Sequence, residues 1–231
     1  TVEGQAIELE WVRSNIWQLD DADYLRMVEL KTSWYSFITP LQAGAIAAGE
    51  GPDRLKPLEL LGRHLGAAFQ ITDDLLNLRA DPQDYGKEIG GDLWEGKRTL
   101  MVLHALRCAE PAERQHAVDI LGRRRPTSDG ESGLSELLDR LATRGDLSTA
   151  GRTAITEYLQ KQHISPPKTL EDVRWLYALM QRAGSLDHAR DVAAHHTREA
   201  AAVLAALDWL PPSHHRDALT GHVDYVNGRT R

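Results

Sequence analysis

The sequence is short of several features that would settle its class at once. A single cysteine, Cys108, excludes an internal disulfide and fits a reducing, cytoplasmic setting. No apolar run approaches the roughly 20 residues that a bilayer-spanning helix needs, and no secretory signal pattern stands at the start. A basic excess is lacking too. The 27 Lys and Arg against 34 Asp and Glu leave a net charge of −7, which argues against a general nucleic-acid binder. Internal repeats, low-complexity tracts and the alternating pattern of strands are all missing.

What remains is helix after helix. The 231 residues are 42% hydrophobic and 26% charged, ordinary for a globular chain, and the apolar residues recur at three- and four-residue spacing. The spacing predicts helices over Val2–Trp17, Asp21–Ala48 with a kink at Pro40, Leu55–Arg79 and Lys97–Cys108. A polar loop, "ADPQDYGKEIGGDLWEG", separates the last two. Beyond it, "EPAERQHAVDILG" reads as a helix and "RRRPTSDGES" as a loop. Short helices follow over Ser132–Arg140 and Ser148–Lys161, then a break at "HISPPKT". Leu170–Ala183, Ser185–Leu207 and Ser213–Val226 complete an all-α, single-domain helical bundle over residues 1–231. The chain opens "TVEGQAIELEW", without Met and already amphipathic, so the fold is expected to begin upstream of Thr1.

One helix carries an anomaly. In "FQITDDLLNL", residues three and four apart share a face, so Gln70, Asp73, Asp74 and Asn77 form one polar stripe among Phe69, Ile71, Leu75, Leu76 and Leu78. Adjacent carboxylates at a buried site repel each other and take up protons unless cations neutralise them. Mg²⁺ suits such oxygens and tends to bridge them to substrate phosphates. Alone, the stripe fits equally a solvated face opposite a core of Phe69 and Leu76. Other residues favour the metal seat. Lys31 and Thr32 lie on the preceding helix, and the glycine-bearing loop supplies Lys87, Asp92, Lys97 and Arg98. Divalent metal with ammonium groups is a general means of gripping a diphosphate.

These residues carry a resemblance. "GAAFQITDDLLNL" followed by "GKEIGGDLWEGKRTL" resembles the second aspartate-rich motif of the trans-isoprenyl diphosphate synthases and its lysine-bearing loop. "GQAIEL" resembles that family's Gly-Gln helix and "KTSWYSFITPLQAGAIAAG" its Lys-Thr helix. The similarity is good from Gly4 to about Leu106 and weaker in "DVRWLYALMQRAGSLDHARDVAAHHTREAAAVL"; residues 123–168 are not placed by the resemblance and read as an insertion. The resemblance implies a bundle of the isoprenoid synthase type with a central cavity. There an allylic diphosphate would condense with isopentenyl diphosphate through Mg²⁺-assisted ionisation, with a geranylgeranyl-type product. By position, Asp73 would be a direct metal ligand, Asp74 would act through water, and Asn77 would take the last place of the motif. Lys31, Lys87 and Lys97 would contact the diphosphate, Thr32 and Gln70 would flank the carbocation, and Gln5 and Phe69 would line the cavity. A homodimer with early helices at its interface is implied, with no nucleic-acid partner and no membrane span.

Two departures stand out. The family pattern is Asp-Asp-x-x-Asp, and Asn77 replaces its last aspartate. The first aspartate-rich motif would lie upstream of Thr1, and Asp20, Asp21 and Asp23 read as a helix cap rather than a substitute; this chain alone is therefore expected to be inactive or nearly so. A class I terpene cyclase and a non-catalytic subunit of an active synthase are the competing readings. Cys108 reads as a core thiol, His195, His196, His214 and His215 as helix-surface residues, and "GRRRP" as a solvated loop.

Overall fold

The structure, a computed structural model, describes residues 1–78, 90–126, 131–161 and 166–228. Among these it contains helices and no strand. The order is α1 (Val2–Arg13), α2 (Asp21–Val28), a π-helical segment (Glu29–Ile38), α3 (Thr39–Ala47), α4 (Pro52–Leu78), α5 (Gly91–Glu95), α6 (Leu100–Cys108), α7 (Pro111–Leu121), α8 (Glu131–Arg144), α9 (Thr149–Lys161), α10 (Leu170–Arg182), α11 (Ser185–Ala205) and α12 (His214–Gly228). The early stop of α1 has a local cause. Asn15 turns the chain with φ of 50° and its side chain accepts a 2.7 Å bond from the Trp17 indole. At the start of α2, Asp20 and Asp23 form a reciprocal capping box, the role expected of that acidic cluster.

Residues 21–47 are continuously helical, with a change of pitch in place of the expected kink. Pro40 falls in the first turn of α3, and the amide of Thr39 reaches back five residues to the Trp34 carbonyl. The reason lies across the interface with α4. A Cβ on Gly66 would stand 2.6 Å from the Ser33 Cα, and one on Gly62 would stand 2.9 Å from the Ile38 backbone. Ser33 and Ile38 are five residues apart while Gly62 and Gly66 are four apart. The wider π turn brings both contacts onto one face, and the two glycines let the backbones meet. Gly4 does the same for α1, where a Cβ would lie 2.3 Å from the Lys31 nitrogen.

Two hydrophobic clusters divide α4. Leu58, Leu61, Leu65 and Ala68 belong to one, with Ala200 and Leu204 of α11 and Val223 and Val226 of α12. Ile71, Leu75 and Leu78 belong to the other, with Tyr24, Leu100, Met101, Leu176 and Met180. The polar stripe starts where the clusters part, at Gln70. Further corrections are local. The expected Lys97–Cys108 helix starts only at Leu100, as α6, and the stretch before it, read as loop, holds the short helix α5, which ends at Gly96 with a left-handed φ of 67°. Cys108 is exposed rather than core, because it follows His104 by one turn on the outer side of α6, 3.7 Å from that ring. His196 is half-buried rather than superficial, with its Nδ1 2.9 Å from Nδ1 of His64, and burial lowers its pKa to about 4. Residues 123–168, expected to be an insertion, hold α8 and α9, which pack against each other.

The glycine contacts yield a prediction. Gly66→Ala should lower the unfolding free energy by about 1–3 kcal/mol, because the methyl group must displace Ser33 backbone. Gly44→Ala, with nothing within 4 Å of the new Cβ, should be neutral or gain up to about 1 kcal/mol. Urea melts followed by circular dichroism give the comparison, and equal midpoints for the two variants would contradict the close-approach account.

Candidate active site

The polar face of α4 opens onto a cavity of about 310 Å³. Gln70, Asp73, Asp74 and Asn77 form one wall, Glu8, Tyr24, Met27 and Lys31 a second, and Asp92, Lys97, Arg98 and Thr99 a third. A larger groove of about 530 Å³ lies beyond Trp17, floored by Leu103, Leu106 and Val118. It lacks the convergence of carboxylates with lysines, so the smaller cavity is where the chemistry sits.

Asp74 is the centre of the site. It is 7% exposed, and both its oxygens accept hydrogen bonds: Oδ1 from the Gln70 amide at 2.8 Å and Oδ2 from the Tyr24 hydroxyl at 2.8 Å. Burial pushes its pKa up to about 7, the charge of Asp92 adds to the rise, and the Gln70 and Tyr24 bonds oppose it. Tyr24 is itself held well above its ordinary value by burial and by Asp74, so it stays a donor. Thr32 completes a chain, its hydroxyl donating to Gln70 Oε1 at 2.8 Å. That fixes the Gln70 amide with its oxygen toward Thr32 and its nitrogen toward Asp74. Asp73, one residue earlier, is exposed at the cavity edge.

Each lysine in the walls is held by a carboxylate. Lys31 Nζ lies 2.6 Å from Glu8 Oε2. Lys97 Nζ lies 2.8 Å from Asp92 Oδ1 and 3.2 Å from Glu95 Oε2. Burial alone would lower the Lys97 pKa, but the bonds and charges of Asp92 and Glu95 raise it above the ordinary value. Arg98, 3% exposed, donates to the Gly96 carbonyl at 2.6 Å and to the Ile16 carbonyl at 3.0 Å, and it lies over the Trp17 ring at 3.7 Å. Its pKa is lowered by burial to about 10, which leaves it cationic at neutral pH.

Of the residues singled out in the sequence, Lys31, Gln70, Asp73, Asp74, Asn77 and Lys97 meet in the cavity. Thr32 stands behind Gln70. Lys87 lies outside the described residues. Gln5 and Phe69 do not line this cavity. Gln5 is exposed, its amide 3.5 Å from Glu8, and Phe69 packs against the Phe37 ring at 5.7 Å, within the cluster of α11 and α12. Asn77, expected as a metal ligand, lines the cavity and also ties two helices together. Its Oδ1 accepts the Asp92 amide at 3.1 Å and its main-chain oxygen accepts the Gly90 amide at 3.1 Å, so it fastens the start of α5 to the end of α4. Asp92, singled out in the sequence with the loop, also lines the cavity, whereas Glu8 and Tyr24 are the functional candidates that sequence reasoning missed. Glu8 had a signal, one turn beyond Gly4 on the side of α1 that meets Lys31.

The donor set fits a divalent cation shared with a ligand. The lining carries four carboxyl groups, Glu8, Asp73, Asp74 and Asp92, against three cations, Lys31, Lys97 and Arg98. That balance repels a bare polyanion. Among the described residues no group of three or more His, Cys, Asp or Glu is arranged to hold a metal by itself. Mg²⁺ characteristically takes one or two carboxylates and completes its shell with water and phosphate oxygens, and Asp73 with Asp74 can offer that share.

A family model described as polyprenyl synthetase matches residues 1–137. Geranylfarnesyl diphosphate synthase of Aeropyrum pernix is 37% identical over 136 residues, which are 59% of this chain and 41% of the relative. Octaprenyl diphosphate synthase of Escherichia coli (strain K12) is 32% identical over 178 residues, 77% of this chain and 52% of the relative. Among solved structures, geranylgeranyl pyrophosphate synthetase from Pyrococcus horikoshii superposes with a TM-score of 0.70 at 26% identity, covering 99% of this chain and 54% of that one. Polyprenyl synthase from Caulobacter crescentus, complexed with calcium and isoprenyl diphosphate, gives 0.69 at 27% identity, covering 100% and 56%. The chain thus spans about half the length of the relatives it matches.

The raised pKa of Asp74 sets a pH dependence. The unfolded chain releases this proton near 3.8 and the folded chain near 7, so between those values the folded state holds the extra proton. Stability therefore declines as pH rises from about 4 to about 7 and is lowest above that window, by up to a few kcal/mol. Asp74→Asn removes the titrating group. Its melting temperature relative to wild type should rise between pH 5 and pH 8, and a difference independent of pH would contradict the buried, proton-binding Asp74.

Proposed function

This chain belongs to the polyprenyl synthetase family, and from that premise we propose that its cavity binds the diphosphate of an allylic substrate for head-to-tail condensation with isopentenyl diphosphate. The observation that carries the reading is the convergence of Asp73 and Asp74 with Lys31 and Lys97 around one cavity. The product is proposed to be of the geranylgeranyl type, and the assembly a homodimer.

Magnesium, held by Asp73 and through water by Asp74, would supply charge neutralisation for the leaving pyrophosphate. Lys31 and Lys97 would exchange Glu8 and Asp92 for phosphate oxygens, so each ammonium group is kept oriented before substrate arrives. Lys87 is proposed to join them. The allylic C–O bond breaks with its electron pair going to the pyrophosphate, and the isopentenyl π bond forms the new C–C bond to the allylic cation. The resulting cation loses a proton to the pyrophosphate. Gln70 would flank the cation, and the hydrogen bond from Thr32 behind it keeps the Gln70 oxygen from swinging away. No side-chain nucleophile is required. The need is for a site that excludes water, which would otherwise quench the cation. Lys31, Lys87 and Lys97 favour this reading over a cyclase, since they stand at positions that resemble the family's own diphosphate-binding lysines.

Incubation with labelled isopentenyl diphosphate, farnesyl diphosphate and Mg²⁺ should give a longer diphosphate, at no more than trace turnover from this chain alone. A hydrocarbon or alcohol from the allylic substrate alone would identify a cyclase instead. Silence, with altered products once an active synthase is added, would identify a subunit. Asp73→Ala, at an exposed position, should leave the melting temperature within a degree or so and reduce elongation by roughly 10²–10³-fold. An unchanged rate would remove Asp73 from the site.

A further inference from the structure

We propose that Lys168 is a positioning residue for the diphosphate end of the cavity, holding the Gly91–Lys97 turn from behind through the Trp94 carbonyl. The inference rests on the reading that Lys97 meets a diphosphate.

Lys168 lies in "HISPPKT", a stretch that reads as a mere break between helices, yet it is 2% exposed. Burying an ammonium group is costly unless something compensates it. The partner here is a main-chain oxygen: Nζ donates to the Trp94 carbonyl at 2.8 Å. Trp94 is next to last in α5, and the final carbonyls of a helix have no partner within it. A cation at that end also complements the helix dipole. The same ammonium group lies against the following turn, since a Cβ on Gly96 would stand 3.3 Å from Nζ and 2.5 Å from the Leu121 carbonyl. Gly96 immediately precedes Lys97.

The turn is therefore clamped on two sides, by Arg98 in the cavity wall and by Lys168 from outside the cavity. Arg98 holds the Gly96 carbonyl and Lys168 holds that of Trp94. Within the turn, the Lys97 amide donates to the Asp92 carbonyl at 2.9 Å, which sets the side chains of both residues toward the cavity. Lys168 is anchored in its turn by its own amide, bonded to the Arg124 carbonyl at 2.9 Å. The charged groups around it are Arg98, which disfavours its charge, and Asp172 and Glu95, which favour it. Burial lowers its pKa to about 8, so at neutral pH the ammonium form predominates. The Trp94 indole nitrogen is already buried without a partner, and loss of Lys168 would leave a second unpaired polar group in the same short helix.

The test is hydrogen exchange on the full chain, wild type against Lys168→Met, read by segment. Removing one charge-assisted bond should speed exchange across residues 91–98 by roughly 10- to 100-fold while α4 and α11 keep their rates. In the same variant, calorimetric binding of inorganic pyrophosphate with Mg²⁺ should weaken by about tenfold or more. Lys168→Gln, which keeps a donor but no charge, should fall between wild type and Met on both readouts, and it takes the place of the Met variant should that one fail to melt cooperatively. Unchanged exchange at residues 91–98, or equal acceleration in every segment, would overturn the proposal. Should wild type bind no pyrophosphate, the reading of the cavity fails while the exchange comparison still decides the role of Lys168.

Discussion

A carboxyl group buried beside other carboxylates is the constraint on which the rest of the site depends. Asp74 occupies a position that helix α4 would otherwise fill with an apolar side chain, between Ile71 and Leu78 of the same cluster. Tyr24 and Gln70 satisfy its oxygens, and Thr32 satisfies Gln70, so one buried acid organises residues from the two helical stretches that meet there. Hydrogen bonds alone do not remove the electrostatic cost. Asp92 and Asp73 both raise the Asp74 pKa, and the group binds a proton in the absence of a compensating cation. A site arranged in this way is disposed to accept positive charge, and the lysines supply too little of it.

The backbone serves the same end. Close approach of the π-helical segment to α4 depends on Gly62 and Gly66, and it is this approach that brings Thr32 within 2.8 Å of Gln70. Gly4 brings α1 equally close to Lys31, which places Glu8 beside the Lys31 ammonium group. Small residues with no chemistry of their own thus set the distances between those that have it.

How much of this is legible in the sequence varies with the range of the interaction. The stripe of Gln70, Asp73, Asp74 and Asn77 is a matter of helical periodicity, and the cavity wall follows it. Both helix caps on acidic residues, Asp20 with Asp23 and Thr169 with Asp172, are equally local. The π-helical segment is not, because its register answers to glycines more than twenty residues downstream. Nor does periodicity reveal that Asn77 fastens α5 to α4, since that depends on where the Asp92 amide lands. His196 and Cys108 fail for one reason in opposite senses. Neighbouring positions on an amphipathic helix differ in burial according to which helix crosses them, and His64 of α4 crosses at His196 while nothing comparable among the described residues covers Cys108.

The central claim is that charge in this cavity is balanced only when metal and diphosphate enter together. It is tested most directly by thermal unfolding at pH 7.5 with Mg²⁺ alone, inorganic pyrophosphate alone, and both. Binding to the folded state raises the melting temperature, by an amount that grows with the logarithm of ligand concentration over its dissociation constant. The account predicts a joint shift clearly larger than the sum of the separate ones. A joint shift equal to that sum, or none at all, would contradict it.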